Sequence, residues 1–263
     1  MASLTYYDCN AMLGRYFNPA FGDYLTAGAL EQLYDRYGIS AGVVYHSSAK
    51  DYSPAYGNRA LLDELKGRER LHGAWVVTPH HTCEMEKPEQ LTSSFRSSGV
   101  RMARIFCGSR YYTRSLDLFV YAALLGALEH HRIPVMVEFD AEQSGGGSLD
   151  DLVWQDVRAV LDACPRLRFV LACPKSTGLN RNLFPLMEKY ENLFLETSGY
   201  QLFGGLETVS RRFGARRLLY GSRAPYFDPA PGMIAIQYSE LEESEKRMIA
   251  GDGLSALLRE VRL

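Results

Sequence analysis

The chain has 263 residues, 46% hydrophobic and 23% charged, and its 29 Lys+Arg against 31 Asp+Glu leave a net charge of −2. That balance argues against a nucleic-acid partner, and no apolar run approaches the ~20 residues that cross a bilayer. Five cysteines without a C-x-x-C pair argue against a disulfide framework, and Met1 to Tyr6 lack the basic-then-apolar order of a signal peptide, so a cytoplasmic protein is expected.

Barrels of α/β type reach about 200–250 residues as one domain, so one domain over 1–263 is expected. Leu4 to Tyr7 reads as a short strand leaving at Asp8-Cys9-Asn10, and Gly14 to Gly22 as a loop. Tyr24 to Tyr37 has helical spacing of Leu30, Leu33, Tyr34 and Tyr37, with Gly38 where a C-cap belongs. Ala41 to Tyr45 is a second strand ending at His46, and Ser47 to Gly57 reads as a loop, with Asn58 as the cap of the next helix. Leu71 to Val77 is the third strand, followed by Pro79-His80-His81, and Val100 to Cys107 the fourth, carrying Arg104. After an apolar helix, Leu116 to Leu128, the fifth strand is Ile133 to Phe139, with Glu138 and Asp140 at its exit. Leu167 to Ala172 leaves at Cys173-Pro174-Lys175, Leu193 to Leu195 at Glu196-Thr197-Ser198, and Arg217 to Tyr220 at Gly221-Ser222-Arg223. Helical stretches at Met233 to Gln237 and Glu242 to Arg262 close the chain.

Apolar runs alternating with helices at roughly 30-residue spacing are βα units, and eight of them predict a closed (β/α)8 barrel, the TIM barrel. An open parallel sheet is the alternative. In such barrels the site lies at the C-terminal strand ends, so the exits above supply the candidates. Glu138 and Asp140 share a strand face, and either carboxylate or His46 is a candidate general base. Arg223 and Lys175 are candidates to hold a carboxylate or phosphate. Cys107 and Cys173 end neighbouring units as candidate nucleophiles, with inert burial as the alternative. Of His80 and His81 only one can face inward on an extended chain, and His80 is preferred. The 17 tyrosines suit a polar-rimmed pocket and an oligomer interface alike, so a homodimer stays open.

At this point the chain resembles the amidohydrolase-related family of metal-dependent TIM-barrel hydrolases and decarboxylases. The resemblance rests on Asp8-Cys9-Asn10 with Gly14, the proline after the third strand, and Asn192 to Ser198. It is strongest in Phe213-Gly214 through Tyr220-Gly221-Ser222-Arg223-Ala224-Pro225 and in Glu245-Lys246 through Ile249-Ala250-Gly251 to Leu257-Leu258. It implies an H-x-H metal pair on the first strand, where Asp8 and Asn10 stand. It also implies histidines at the fifth and sixth strands, where Glu138 or Asp140 and Cys173 stand, and a final aspartate where Arg223 stands. A cation opposes a divalent ion and Asn is a poor zinc ligand, so no metal or other cofactor is expected. The alternative is a rearranged zinc or manganese site of Asp8, His46, Glu138 and Asp140. The expectation is a hydrolase or lyase acting on a small carboxylated or amide-containing molecule. Its catalytic residues would be His46, Glu138, Asp140 and Asn10, with Arg223, Lys175, His80, Arg104 and Ser222 binding substrate. A binding or scaffold barrel without chemistry is the other reading. An aromatic-filled pocket with every exit acid paired to a base would favour that second reading.

Overall fold

Residues 4–16, 23–108, 111, 113–139, 150–172 and 179–262 are described by the computed structural model, the side chains of 150–153 and 179 excepted. Strands and helices alternate as β1 (Tyr6–Arg15), β2 (Tyr24–Leu25), α1 (Ala27–Tyr37), β3 (Ile39–His46), α2 (Ser47–Asp51), α3 (Pro54–Glu64), β4 (Leu71–Val76), α4 (Pro88–Ser98), β5 (Met102–Cys107), α5 (Leu118–His130), β6 (Val135–Phe139), α6 (Asp150–Ala163), β7 (Phe169–Ala172), α7 (Leu179–Lys189), β8 (Leu193–Glu196), α8 (Gly205–Phe213) and β9 (Leu218–Leu219). They are followed by α9 (Ala230–Gln237), α10 (Glu243–Arg247), a wide turn at Met248–Asp252 and α11 (Gly253–Arg259).

The strands form one sheet in the order β2-β1-β3-β4-β5-β6-β7-β8-β9, parallel except for the antiparallel β1–β2 pair. Backbone bonds then carry the sheet round to its start. Cys9 N donates to Tyr220 O at 2.9 Å, Arg223 N to Asn10 O at 2.7 Å, and Met12 N to Ala224 O at 2.9 Å. The exit of β9 thus lies along β1, and the expected (β/α)8 barrel closes without leaving that edge unpaired.

Period-two alternation sorts each strand into an inner and an outer file. Val43 and Tyr45, Ala74 and Val76, Met102 and Phe106, Met136, Val170, Ala172 and Phe194 form one cluster, joined by Leu254, Leu257 and Leu258 of α11. Their neighbours Val44, Trp75, Ala103, Ile105, Val135, Val137, Leu171 and Leu195 belong to the larger cluster under the helices. In the first cluster's file, Arg104 stands between Met102 and Phe106, Glu138 two residues beyond Met136, and Glu196 two beyond Phe194. The same alternation that fills the barrel with apolar side chains therefore aims three charged ones into its C-terminal end.

Three expectations are corrected locally. The first strand does not leave at Asp8-Cys9-Asn10 but continues to Arg15, with a register shift between Asp8 and Ala11. Its extra length is paired on one side by β3 and at its tip by β2, and pairing at the Gly14–Leu25 and Arg15–Tyr24 positions overrides the loop-like composition. The segment after His46 is not a loop. Ser53, whose Oγ accepts from Tyr56 N, caps α3 with Pro54 in its first turn. Asn58 is therefore inside that helix rather than its cap, and its amide clamps α3 to β4 by donating to Val76 O at 2.8 Å and accepting from Val76 N at 3.0 Å. The final helical stretch is broken into α10 and α11, because the turn at Met248–Asp252 brings Gly251 so near β1 that a Cβ there would lie 2.7 Å from Thr5 O.

Candidate functional site

At the strand ends a chain of charge-assisted hydrogen bonds crosses the barrel. Asn10 of β1 accepts at Oδ1 from Arg104 Nη1 (2.7 Å). The second terminal nitrogen of Arg104 is ion-paired with Glu138 Oε2, and Glu138 Oε1 accepts from Arg223 Nη2 at 2.7 Å. One carboxylate is thus shared by two guanidiniums. Burial pushes the Glu138 pKa up, but Arg223, Arg104 and Lys50 outweigh it and hold the group below the usual carboxylate value. Arg104 also lies over the rings of Tyr45 (4.1 Å) and Phe106 (4.9 Å), so its charge is held by faces as well as by oxygens. The two arginines differ in access: the Arg104 side chain is 2% exposed and that of Arg223 18%. Arg223 is the guanidinium that an incoming anion can reach.

Lys50 completes this group; it lies in the Ser47 to Gly57 segment, whose composition reads as a loop, and so does not stand out as a site residue in the sequence. Its ammonium sits 5.4 Å from the Tyr226 ring centroid and 5.9 Å from those of Phe106 and Tyr111, and it is ion-paired to Asp51 at 3.4 Å. Burial lowers its pKa, but the surrounding Tyr45, Tyr226 and Asp51 raise it by more, so Lys50 stays protonated. The signal available in sequence was weak: a lysine four residues beyond a strand end, one helical turn on from His46.

Two further acids stand beside this chain. Asp8 accepts from the Ser222 hydroxyl and from Ser222 N (2.8 Å), Asn10 N (2.9 Å) and Tyr34 Oη (2.9 Å). Burial raises its pKa against the lowering effect of those donors. Tyr34 reaches Asp8 only because residue 42 is glycine, since a Cβ there would lie 2.2 Å from the tyrosine hydroxyl. Glu196 accepts from Ser198 N (2.6 Å) and Ser198 Oγ (2.9 Å). Its pKa is raised by burial, with Ser198, Arg223 and Asn10 working in the opposite direction. Gly221 performs the same service here: a Cβ would come within 2.2 Å of Glu196 Oε1.

The structure thus brings Asn10, Arg104, Glu138, Arg223 and Ser222 together at the strand ends. His46 has another setting. Its Nδ1 accepts from Ser48 N at 3.2 Å, capping α2, and its Nε2 lies 3.3 Å from Tyr24 Oη, which in turn reaches Glu64 at 3.4 Å. Burial lowers its pKa, as suits a neutral ring with both nitrogens engaged. His80 stacks on His81 with centroids 4.3 Å apart in a short turn after β4, and no contact joins it to the arginine chain among the described residues. Cys107 belongs to the outer file, where burial and Asp156 push its thiol up to about 12. That setting does not make a nucleophile. Asp140, Cys173 and Lys175 lie outside the described residues.

The donor set does not fit the divalent ion that the sequence resemblance implies. Arg104 and Arg223 present cations at the centre of the cluster, and both Asp8 oxygens and both Glu138 oxygens are already taken by N–H and O–H donors. Asp8 and Glu138 are joined through Asn10 and Arg104, His46 is bonded elsewhere, and no three His, Cys, Asp or Glu side chains converge as metal ligands among the described residues. No helix among the described residues is long and apolar enough to cross a membrane.

No protein-family model matches the chain. No curated protein matches it in sequence either. Solved structures do match it in shape. 5-Carboxyvanillate decarboxylase from Sphingomonas paucimobilis has a TM-score of 0.73 at 13% identity, covering 98% of this chain and 99% of its own. 2,6-Dihydroxybenzoate decarboxylase from Rhizobium has a TM-score of 0.75 at 14% identity, covering 98% and 99%. A dihydroxybenzoic acid decarboxylase from Polaromonas, with bound manganese and the inhibitor 2-nitroresorcinol, has a TM-score of 0.75 at 13% identity, covering 98% and 97%. At such identities the likeness is one of fold, and it extends over nearly the whole chain.

Proposed function

We propose that the chain is an amidohydrolase-like enzyme of the cytoplasm, a hydrolase or lyase that acts on a small carboxylated molecule at the strand ends without a divalent metal. The observation that carries this is the pair of guanidiniums sharing Glu138 at the barrel mouth, with Lys50 beside them. In this reading Arg223 exchanges part of its bonding to Glu138 for the substrate carboxylate, because arginine offers five N–H donors in a planar fork. Arg104 and Lys50 supply the field that favours an anion there, and Glu138 keeps both guanidiniums in position. Ser222, whose hydroxyl donates to Asp8 and accepts from Ala224 N at 3.0 Å, positions that acid and the turn that follows Arg223 rather than touching substrate.

Proton transfer falls to Glu196 in this reading. Glu138, held below the ordinary carboxylate value, is a weak base, and His46 has its nitrogens committed elsewhere. Glu196 is buried, shifted upward and adjacent to Asn10 and Arg223. For a lyase, the bond from the substrate carbon to its carboxylate breaks, carbon dioxide leaves, and the electron pair left on that carbon takes the proton of protonated Glu196. For a hydrolase, ionised Glu196 takes the proton of the attacking water and returns it to the leaving group as the scissile bond breaks, with Asn10 orienting the substrate. That several structural neighbours are decarboxylases agrees with a carboxylated substrate. A barrel that only binds is less well supported, since Asp8 takes its hydrogen bonds from a serine, a tyrosine and backbone amides rather than from a base.

The test is calorimetry with small aryl carboxylates, joined to a turnover screen. Arg223→Ala weakens carboxylate binding at least tenfold, and Glu196→Gln abolishes turnover while binding persists. Unchanged binding in the first variant, or full turnover in the second, refutes the corresponding role.

A further inference from the structure

Two cavities open beside the strand ends, on the β8–β9 side. One, of about 310 Å³, is lined by Gly221, Ser222, Tyr226 and Ser198 among others. The second, of about 580 Å³, lies between the segment after β8 and helix α9, and Leu202, Leu206, Ile234, Ala235 and Tyr238 give it an apolar lining. Both are lined by Ser198, Gln201, Pro231 and Gly232, so they form one continuous groove that begins beside Ser222 and Ser198 and leads outward. Ile234 is 55% exposed and Tyr238 73%, so two large apolar side chains at α9 are held out toward solvent. Thr197, which lines the larger cavity, has its hydroxyl oxygen buried and without a hydrogen-bond partner. A buried hydroxyl left unpaired is costly, and a ligand atom in the cavity would relieve it.

We infer that this groove is a second subsite of the same site, taking an aryl or alkyl arm of the substrate while its carboxylate lies at Arg223. The inference rests on the strand-end anion reading and narrows it to a class: carboxylates with an apolar extension. The head end of the groove is bounded by Ser222 and Ser198, the two side chains bonded to Asp8 and Glu196, which sets it next to the acids. Farther out, Leu202, Ile234 and Tyr238 match a hydrophobic arm, while Glu207, an acid in the same lining, would repel a second carboxylate.

The experiment measures binding of arylalkanoates of increasing length, from benzoate through 3-phenylpropanoate to 5-phenylpentanoate, to the full chain and to two variants. Ala235 is exposed on α9, so Ala235→Trp fills the groove without entering the core. In the unmodified chain affinity rises at least tenfold along the series. In A235W the rise disappears while benzoate affinity stays within twofold. In R223A every member weakens, but the rise with length survives. A flat series in the unmodified chain, or a rise that A235W leaves intact, overturns the groove assignment. A dimer that A235W dissociates without altering the series assigns the groove to a second copy of the chain and overturns it likewise. Unweakened binding in R223A with the length dependence retained defeats the anion reading and leaves the groove standing as an apolar ligand site.

Discussion

Removing the charge of Glu138 is the perturbation with the most calculable outcome. In Glu138→Gln the side chain keeps its size and one acceptor, but Arg104, with 2% of its side chain exposed, loses its counter-ion in the barrel interior. Breaking a buried pair by removing one partner costs about 3–5 kcal/mol. Arg104 keeps its bond to Asn10 and its contacts with Tyr45 and Phe106, and Arg223 is near enough to solvent to relax, so the low end, about 3 kcal/mol, is expected. A chain of this size loses roughly 2–4 °C of melting temperature per kcal/mol, giving a drop of about 6–12 °C. The sign of the pH dependence follows from the same pairing. Burial alone would raise the Glu138 pKa, yet the cations hold it below the ordinary value of 4.5. A carboxylate lowered in the folded state gives its full stabilisation above the unfolded value, and that stabilisation is lost as pH falls through the folded one. The E138Q deficit is therefore largest at pH 7 and starts to shrink once pH passes below about 4.5. Asp8 and Glu196 shift the opposite way but are common to both proteins and cancel in the difference. Thermal unfolding of both proteins from pH 7 to pH 4 reads the effect. A deficit below about 1 kcal/mol, or one that grows on acidification, refutes the pairing argument.

Other consequences are more local. Gly221→Ala places a methyl 2.2 Å from Glu196 Oε1 and should cost about 1–3 kcal/mol by urea unfolding, with Glu196→Ala in the same chain recovering most of it. Loss of stability unaffected by the second change would mean that the backbone, and not Glu196, demands glycine there. Among the described cysteines, Cys83 is exposed while Cys9, Cys107 and Cys164 are buried. Cys83→Ser should therefore remove a rapidly reacting thiol at pH 8 in a disulfide-exchange assay, and Cys107→Ser should remove none. Fast loss of reactivity in the second variant would contradict the burial of the outer strand file.

The repeat of apolar runs and helices made the barrel legible, because each run had to be buried on both faces and each helix on one. The strand exits likewise named Asn10, Arg104, Glu138, Ser222 and Arg223 as site candidates. Their mutual contacts were not legible, since Arg104 and Glu138 meet across a β5–β6 register that no local pattern encodes. The closure of the barrel on β1 was hidden in the same way, in backbone bonds between residues more than two hundred positions apart. His46 shows the reverse limit. Its position after a strand matched that of a base, but the helix beginning at Ser47 uses its ring as a cap. Lys50 was passed over because a polar, tyrosine-rich segment hides a five-residue helix that turns one lysine inward.

The claim that guanidiniums, and not a divalent metal, organise this site is tested most directly by metal analysis of the purified chain, before and after chelation, alongside calorimetry of benzoate binding. The account predicts well below stoichiometric zinc and manganese, and benzoate affinity that chelation leaves unchanged but Arg223→Ala reduces. About one equivalent of either metal per chain, with carboxylate binding lost on its removal and restored on its return, would contradict it.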